Sequence, residues 1–181
     1  MTDQATSEER IARLEERLQL LEDERELRDL MTRYSFTADL YRGQPWVDLW
    51  TPDGVYDLGT QNAEGGYSGR FEGSEQLLAL ITGEGMPPAG RSQHHVHGPV
   101  AFQIDGDRAV AEGYSVTYVL RDEGTEIWTI GFSRWIFQRV DGRWKIHERQ
   151  RRELGAADQT DVIASPAAGR GDPADGAEGA G

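Results

Sequence analysis

Residues 93–152 read QHHVHGPVAFQIDGDRAVAEGYSVTYVLRDEGTEIWTIGFSRWIFQRVDGRWKIHERQRR. Three turn signals, Asp105-Gly106-Asp107, Asp122-Glu123-Gly124 and Asp141-Gly142, divide this stretch into runs rich in Val, Ile, Tyr, Phe and Trp, at about 93–104, 108–121, 126–140 and 143–152. Asp-Gly between apolar runs marks a tight hairpin, so the segment predicts an antiparallel meander of long strands. What precedes it is helical in pattern. Helices first and strands afterwards give an α+β fold, because a parallel sheet needs a helix between successive strands.

Upstream, residues 7 to about 42 are dense in Glu, Arg and Leu, and Thr6 with Glu9 has the form of a capping box. Ile11, Leu14, Leu18 and Leu21 keep 3-4-3 spacing; the register then slips, and Leu27, Leu30, Met31 and Tyr34 continue it. The first half is too charged to be buried on all sides. The helix over 8–33 is therefore expected to project and pair with another chain, or to pack along its own domain. Gly43 and Pro45 end it and open a short helix carrying Trp46, Leu49 and Trp50. A strand over 55–58 and a helix over 74–81 follow, with glycine-rich loops up to 73 and over 82–91 that suit a rim or lid. Positions 155–181 hold 14 Gly or Ala and no aromatic residue, the composition of a disordered tail. The expected organisation is a disordered 1–7, one α+β domain over 8–153, and a disordered 154–181.

The chain has 181 residues, 32 acidic against 19 basic, and a formal net charge of -13 at pH 7. Such an acid excess argues against nucleic acid and against an anionic membrane surface, since both draw affinity from Lys and Arg. With no cysteine there is no disulfide, iron-sulfur cluster, thiolate zinc site or cysteine nucleophile. The first ten residues are polar and no stretch approaches a spanning helix, which leads to the expectation of a cytoplasmic protein. Walker loops, dinucleotide fingerprints and serine nucleophile elbows are absent, and no cofactor is expected.

Three features carry candidate chemistry. Tyr34 and Asp39 lie near the end of the long helix, where Asp39 has the apolar neighbours Phe36, Ala38, Leu40 and Tyr41 and must find a partner or shift its pKa upward. Five residues set the two side chains about 140° apart on a helix, so only a long Tyr reaching over its end shares a pocket with Asp39. In Gln93-His94-His95-Val96-His97, strict alternation puts His94 on the face of Val96, Val100, Phe102 and Ile104, which predicts that His94 points inward. A carboxylate partner would make it a general base near neutral pH; the alternative is a core histidine bonded to a backbone carbonyl. His95 and His97 share the other face at i, i+2, but with no third ligand in view, no metal site is expected. Finally Lys145, His147, Arg149, Arg151 and Arg152 end the last strand. One of them could hold an oxyanion, or they merely neutralise Glu148, Glu153 or the long helix. Alternation from Trp144 and Ile146 turns Arg149 away from the apolar face unless a bulge or strong curvature intervenes.

Taken in order, Arg33-Tyr34 with Asp39, Leu49-Trp50-Thr51-Pro52-Asp53-Gly54, Ser92-Gln93-His94 with Gly98-Pro99, Ile104-Asp105-Gly106-Asp107-Arg108-Ala109 and Val140-Asp141-Gly142-Arg143-Trp144 resemble the SnoaL-like branch of the nuclear transport factor 2-like superfamily. The resemblance covers roughly four-fifths of the chain and implies a cone, a strongly curved sheet covered by helices around an apolar pocket. Within it the chain is similar to the Asp-His lyases: scytalone dehydratase, bile-acid 7α-dehydratase and the lindane dehydrochlorinase. That similarity implies Asp39 and His94 as the dyad, Tyr34 as proton donor and Arg149 as its helper, with Arg151 as the alternative arginine. Tyr56, Ser115, Trp50, Phe102 and Arg151 are the expected substrate contacts. Ser115 stands where scytalone dehydratase has a second histidine, which argues against scytalone as substrate.

The resemblance thus implies a cofactor-independent lyase of the dehydratase type, or an isomerase, acting by acid-base catalysis on a small, largely apolar cyclic, polyketide-like or steroid-like compound. The expected partners are that small molecule and further copies of the chain, as a homodimer or higher homo-oligomer. The alternatives are a non-catalytic binding or accessory module of the same fold and a polyketide cyclase, for which Glu112 and Glu126 are the carboxylates that the relevant strands offer.

Overall fold

The structure is a computed structural model that describes residues 6–59, 68–83 and 93–163. The elements run α1 (Ser7–Asp39), α2 (Gly43–Val47), β1 (Trp50–Asp57), β2 (Arg70–Glu72), α3 (Gly73–Thr82), β3 (Gln93–Asp105), β4 (Arg108–Arg121), β5 (Gly124–Val140), β6 (Arg143–Glu153) and α4 (Gln159–Ile163). The α+β expectation holds. The expected disorder at residues 1–5 and 164–181, and the rim loops over 60–67 and 84–92, lie outside the described residues.

Both arms of the capping box form: the Thr6 backbone N–H donates to Glu9 Oε2 at 2.7 Å, and the Glu9 N–H to Thr6 Oγ1 at 3.3 Å. From Thr6 to Gln19 every residue of α1 is exposed. Docking begins at Asp23, buried at 4% exposure, whose carboxylate accepts from Arg139 Nη2 at 2.6 Å and Trp144 Nε1 at 3.1 Å. Burial pushes that carboxyl's pKa up, but the hydrogen bonds from Arg139 and Trp144 outweigh it and hold it below the ordinary range. The projecting part is therefore shorter than the expected 8–33. Leu27, Leu30, Met31 and Tyr34 complete the docked face, meeting Trp46, Leu77, Ile81, Trp135, Phe137 and Ile146 in one core.

The six strands form one sheet in the order β2-β1-β6-β5-β4-β3. β3 to β6 are the antiparallel meander that the turns predicted. Asp141 and Gly142, with φ of 50° and 74°, close the last hairpin through two left-handed residues, as Asp-Gly favours. β1, however, pairs with β6 in parallel, so the sheet is mixed; everything from β2 to β5 lies between the two strands in sequence, ample chain for the crossover that a parallel neighbour requires. The end of the domain also differs from expectation. Residues 154–163 do not trail off: α4 packs on β5 and β6, Val162 is buried, and Arg152 Nε donates to Asp158 Oδ2 at 2.6 Å.

Bulges in β3 and β6 decide what faces inward in those strands. In β3, His97 pairs with Ser115 and Val100 with Gly113, so Gly98 and Pro99 together oppose Tyr114. Pro supports this because it cannot donate to a regular ladder. In β6, Ile146 pairs with Phe137 and Glu148 with Ile136, leaving His147 as the extra residue. Inward parity consequently switches in both strands: Val100, Phe102 and Ile104 pack on the core after the first bulge, but Gln93, His95 and His97 turn inward before it. Trp144 and Ile146 are buried before the second bulge, and Arg149, Arg151 and Glu153 after it. Among the described residues, no helix is long and apolar enough to cross a membrane.

Candidate active site

Between the concave side of the sheet and the helices lies a partly open cavity of about 70 Å³. Tyr34, Trp46, Tyr56, Leu58, Ile81 and Trp128 give it a mainly apolar wall, and Gln93, His95, Thr117, Thr129, Arg151 and Glu153 contribute the polar groups.

Asp39 finds its partner, but the histidine is His95. His95 Nδ1 lies 2.5 Å from Asp39 Oδ1, and the His95 backbone N–H donates to both carboxylate oxygens at 3.1 and 3.2 Å. The expectation for His94 is corrected: its Nδ1 is 3.9 Å from Asp39 Oδ2, beyond hydrogen-bond reach, and its side chain is 74% exposed. The reason is the bulge at Gly98-Pro99, across which strict alternation does not carry. Asp39 is the last residue of α1, a turn without a basic residue, where the helix dipole disfavours a carboxylate. The donors from β3 compensate. Since an ionised carboxylate only accepts, it fixes the His95 proton on Nδ1 and leaves Nε2 with its lone pair. Burial lowers the pKa of His95, with Asp39 opposing, so the ring is neutral at pH 7.

Beneath the floor, and not itself among the residues that line the cavity, Arg149 is fully buried. Its Nη1 donates to Tyr34 Oη at 2.5 Å and Tyr56 Oη at 3.1 Å, and its Nη2 to Ser133 Oγ at 3.1 Å. The guanidinium also lies against the rings of Trp135, Tyr34 and Tyr56, 4.2, 4.9 and 5.1 Å from their centroids. No carboxylate pairs with it among the described residues. Both phenol oxygens accept from the cation, and Tyr34 and Tyr56 are also hydrogen-bonded to each other, so one O–H is engaged by the other phenol and one is left to donate toward the cavity. Burial raises the Tyr34 pKa far above its usual value, so this phenol is a proton donor rather than a phenolate.

Other expected contacts divide. Tyr56 and Arg151 line the cavity; Trp50, Ser115 and Phe102 are not among its lining residues. Trp50 packs against Trp46 and Tyr56 in the core, Ser115 lies behind the floor with its Oγ 3.4 Å from Ser133 Oγ, and Phe102 sits under Arg28 beyond the bulge. Arg151 is neutralised by Glu153, with 3.2 Å between Nη1 and Oε1, and Arg152 by Asp57 and Asp158. The simple neutralising role thus describes these two arginines and not Arg149. Tyr34 and Asp39 do not meet; His95 carries Asp39's influence into the cavity while Tyr34 reaches it from the floor. Sequence reasoning missed Gln93, Thr129 and Glu153. His97 also turns inward, its ring 5.2 Å from Trp135 and 5.9 Å from Tyr34, and burial holds its pKa well below the usual value.

The SnoaL-like domain family matches residues 19–150. Among solved structures, a nuclear transport factor 2-like protein with a cystatin-like fold from Novosphingobium aromaticivorans is 26% identical, with a TM-score of 0.75 over 90% of this chain and 99% of that one. A protein of unknown function from Mycobacterium tuberculosis is 20% identical, with a TM-score of 0.62 over 78% and 90% of the two chains. A second Novosphingobium aromaticivorans protein, provisionally described as an aromatic ring hydroxylase, is 21% identical, with a TM-score of 0.60 over 74% and 90%. A comparison with the curated proteins gave no match. With the family model matching most of its length, the chain belongs to the SnoaL-like domain family.

Proposed function

We propose that the protein is a cofactor-independent lyase of the dehydratase type, or an isomerase, acting on a small, largely apolar cyclic compound that carries an oxygen. The observation that carries this reading is a neutral imidazole held by a carboxylate at 2.5 Å on the wall of an apolar cavity whose floor presents two phenols backed by an unpaired guanidinium. His95 Nε2 takes a proton from carbon, and the electron pair left behind forms a carbon–carbon double bond. In elimination the carbon–oxygen bond breaks and the departing oxygen receives a proton from Tyr34 or Tyr56; in isomerisation the carbonyl oxygen takes up the charge and His95 returns the proton to another carbon. Asp39 keeps the ring in its tautomer and stabilises the imidazolium. Arg149 acts through the phenols, lowering the cost of charge on oxygen in a site shielded from water.

A cyclase has less support: Glu126 is exposed and pairs with Arg121, and Glu112 pairs with Arg134, so neither lines the cavity. The test is a panel of cyclic ketones and hydroxylated steroid-like or polyketide-like compounds, followed for loss of water and for exchange of carbon-bound hydrogen with deuterated solvent. General acid-base catalysis contributes about 10²–10⁴-fold, so His95→Ala should lower turnover by that factor and His94→Ala by less than about threefold. No turnover or exchange across the panel by the wild-type protein, with ligand binding intact, would favour the binding module.

A further inference from the structure

The apolar residues that open α1 have no partner in their own domain. Ile11, Leu14, Leu18 and Leu21 are 55%, 62%, 55% and 66% exposed. At 100° per residue their common direction lies roughly 170° from that of Asp23, Leu27 and Leu30, on the face by which α1 docks, so the domain cannot cover them while the helix stays docked. Their 3-4-3 spacing is that of the alternating seam positions of a two-stranded coiled coil, and Arg25 and Arg28 at the next two seam positions end it.

The flanking charges select the occupant. Arg10 and Arg17 border the seam on one side, Glu15 and Glu22 on the other. When two copies run parallel, each flanking residue meets the one five positions later on the partner, which brings Arg10 to Glu15 and Arg17 to Glu22, four opposite-charge pairs in all. Antiparallel helices would instead set Arg against Arg and Glu against Glu. None of these four residues has an ion-pair partner among the described residues.

We infer that residues 8–22 of α1 pair in parallel with the same segment of a second copy of this chain, through an Ile11, Leu14, Leu18 and Leu21 seam edged by Arg10–Glu15 and Arg17–Glu22 pairs. A seam this short would be marginal between free peptides, because each would first have to nucleate a helix; here the docked half of α1 and the Thr6–Glu9 cap already hold it helical. The pairing is independent of the chemistry at His95.

The chain has no cysteine, so one introduced thiol reports one contact. The full-length Ile11→Cys protein is air-oxidised beside Glu16→Cys, whose thiol points away from the seam on the same helix. In a parallel pair the two residues at position 11 face each other and cross-link at least about tenfold faster than those at 16. In the Ile11→Cys background, Leu14→Glu with Leu18→Glu brings the rate down to that of Glu16→Cys, and Arg10→Glu with Arg17→Glu slows it about tenfold. Equal rates for Ile11→Cys and Glu16→Cys, or an Ile11→Cys rate indifferent to the seam substitutions, would overturn the inference. Both readouts hold even if another face of the domain also associates.

Discussion

Removing the Asp39 carboxylate tests the site without knowledge of a substrate. In Asp39→Ala two donors lose their acceptor, the His95 ring N–H at 2.5 Å and the His95 backbone N–H at 3.1 Å. The His95 side chain is 18% exposed and Asp39's 11%, so water replaces the carboxylate only in part. Each largely buried donor left unsatisfied costs about 1–3 kcal/mol. Against this, deleting a negative charge from a helix C-terminus gains about 0.3–1 kcal/mol. The net expected loss is about 1–6 kcal/mol, or about 3–18 °C in melting temperature at about 3 °C per kcal/mol for a domain of this size. Asp39→Asn keeps an acceptor oxygen and should lose roughly half as much. His94→Ala is the control: an exposed ring beyond hydrogen-bond reach should change stability by less than about 0.5 kcal/mol. Urea and thermal unfolding at pH 7 give these differences. Long-range nitrogen–proton NMR of the rings adds the chemistry, a His95 proton confined to Nδ1 in the wild type and spread over both nitrogens in Asp39→Ala. If Asp39→Ala is as stable as His94→Ala and the tautomer is unchanged, then Asp39 does not hold His95, and the argument for a base fails.

For any substrate found, kcat/KM should fall on an acid limb with its midpoint below 6.5, because burial lowers the pKa of His95 and the base is lost as pH drops through it; an alkaline limb should be absent below about pH 10, since Tyr34 is shifted upward. Folding stability should weaken in the same direction: His95 and His97 bind fewer protons folded than unfolded just below pH 6.5, so acid favours the unfolded chain, and a His97→Leu protein should show a smaller decline in pH-dependent unfolding. Gly113→Ala would set a Cβ 2.7 Å from the Pro99 carbonyl oxygen and 2.9 Å from Val100 Cγ1, straining the bulge that turns His95 inward; a loss of about 1–3 kcal/mol in urea unfolding is expected, with a changed His95 NMR signal.

The long elements were legible because each carries a repeating signal. The strands between Asp-Gly turns and the capped α1 could be read from period and punctuation alone. β2, three residues long, has too few for a period, and the parallel pairing of β1 with β6 is a long-range choice that no local pattern encodes. The site was half legible. Asp39 announced itself as a carboxylate among apolar residues. His95 was missed for His94 because alternation was extended through Gly98-Pro99, although a proline inside a strand signals a bulge. The same device in β6 decides Arg149, where no Pro or Gly marks the extra residue, His147. What fixes that bulge is tertiary: four residues of β1, 51–54, stand opposite His147, and Thr51 Oγ1 lies 3.2 Å from its Nδ1.

The contrast among the buried arginines bears most on function. Arg151 has Glu153, Arg152 has Asp57 and Asp158, and even the half-buried Arg139 has Asp23 and Asp107. Arg149, the most deeply buried of them, has only neutral hydroxyls and aromatic faces. Burying an unpaired cation costs several kcal/mol, and a buried charge is often replaceable by an apolar residue without loss of stability. A carboxylate beside it would recover that energy but would also cancel the field that the phenols relay. The two effects separate in Arg149→Met. Thermal unfolding should show stability unchanged within about 1 kcal/mol or raised, because desolvation of the cation is no longer opposed to folding. Turnover should fall by about 10²-fold or more, because Tyr34 and Tyr56 lose the charge that makes them strong donors. A protein that loses several kcal/mol on this substitution, yet keeps its turnover, would make Arg149 a structural tie between α1, β1 and β5 and leave the oxygen side of the chemistry without an agent.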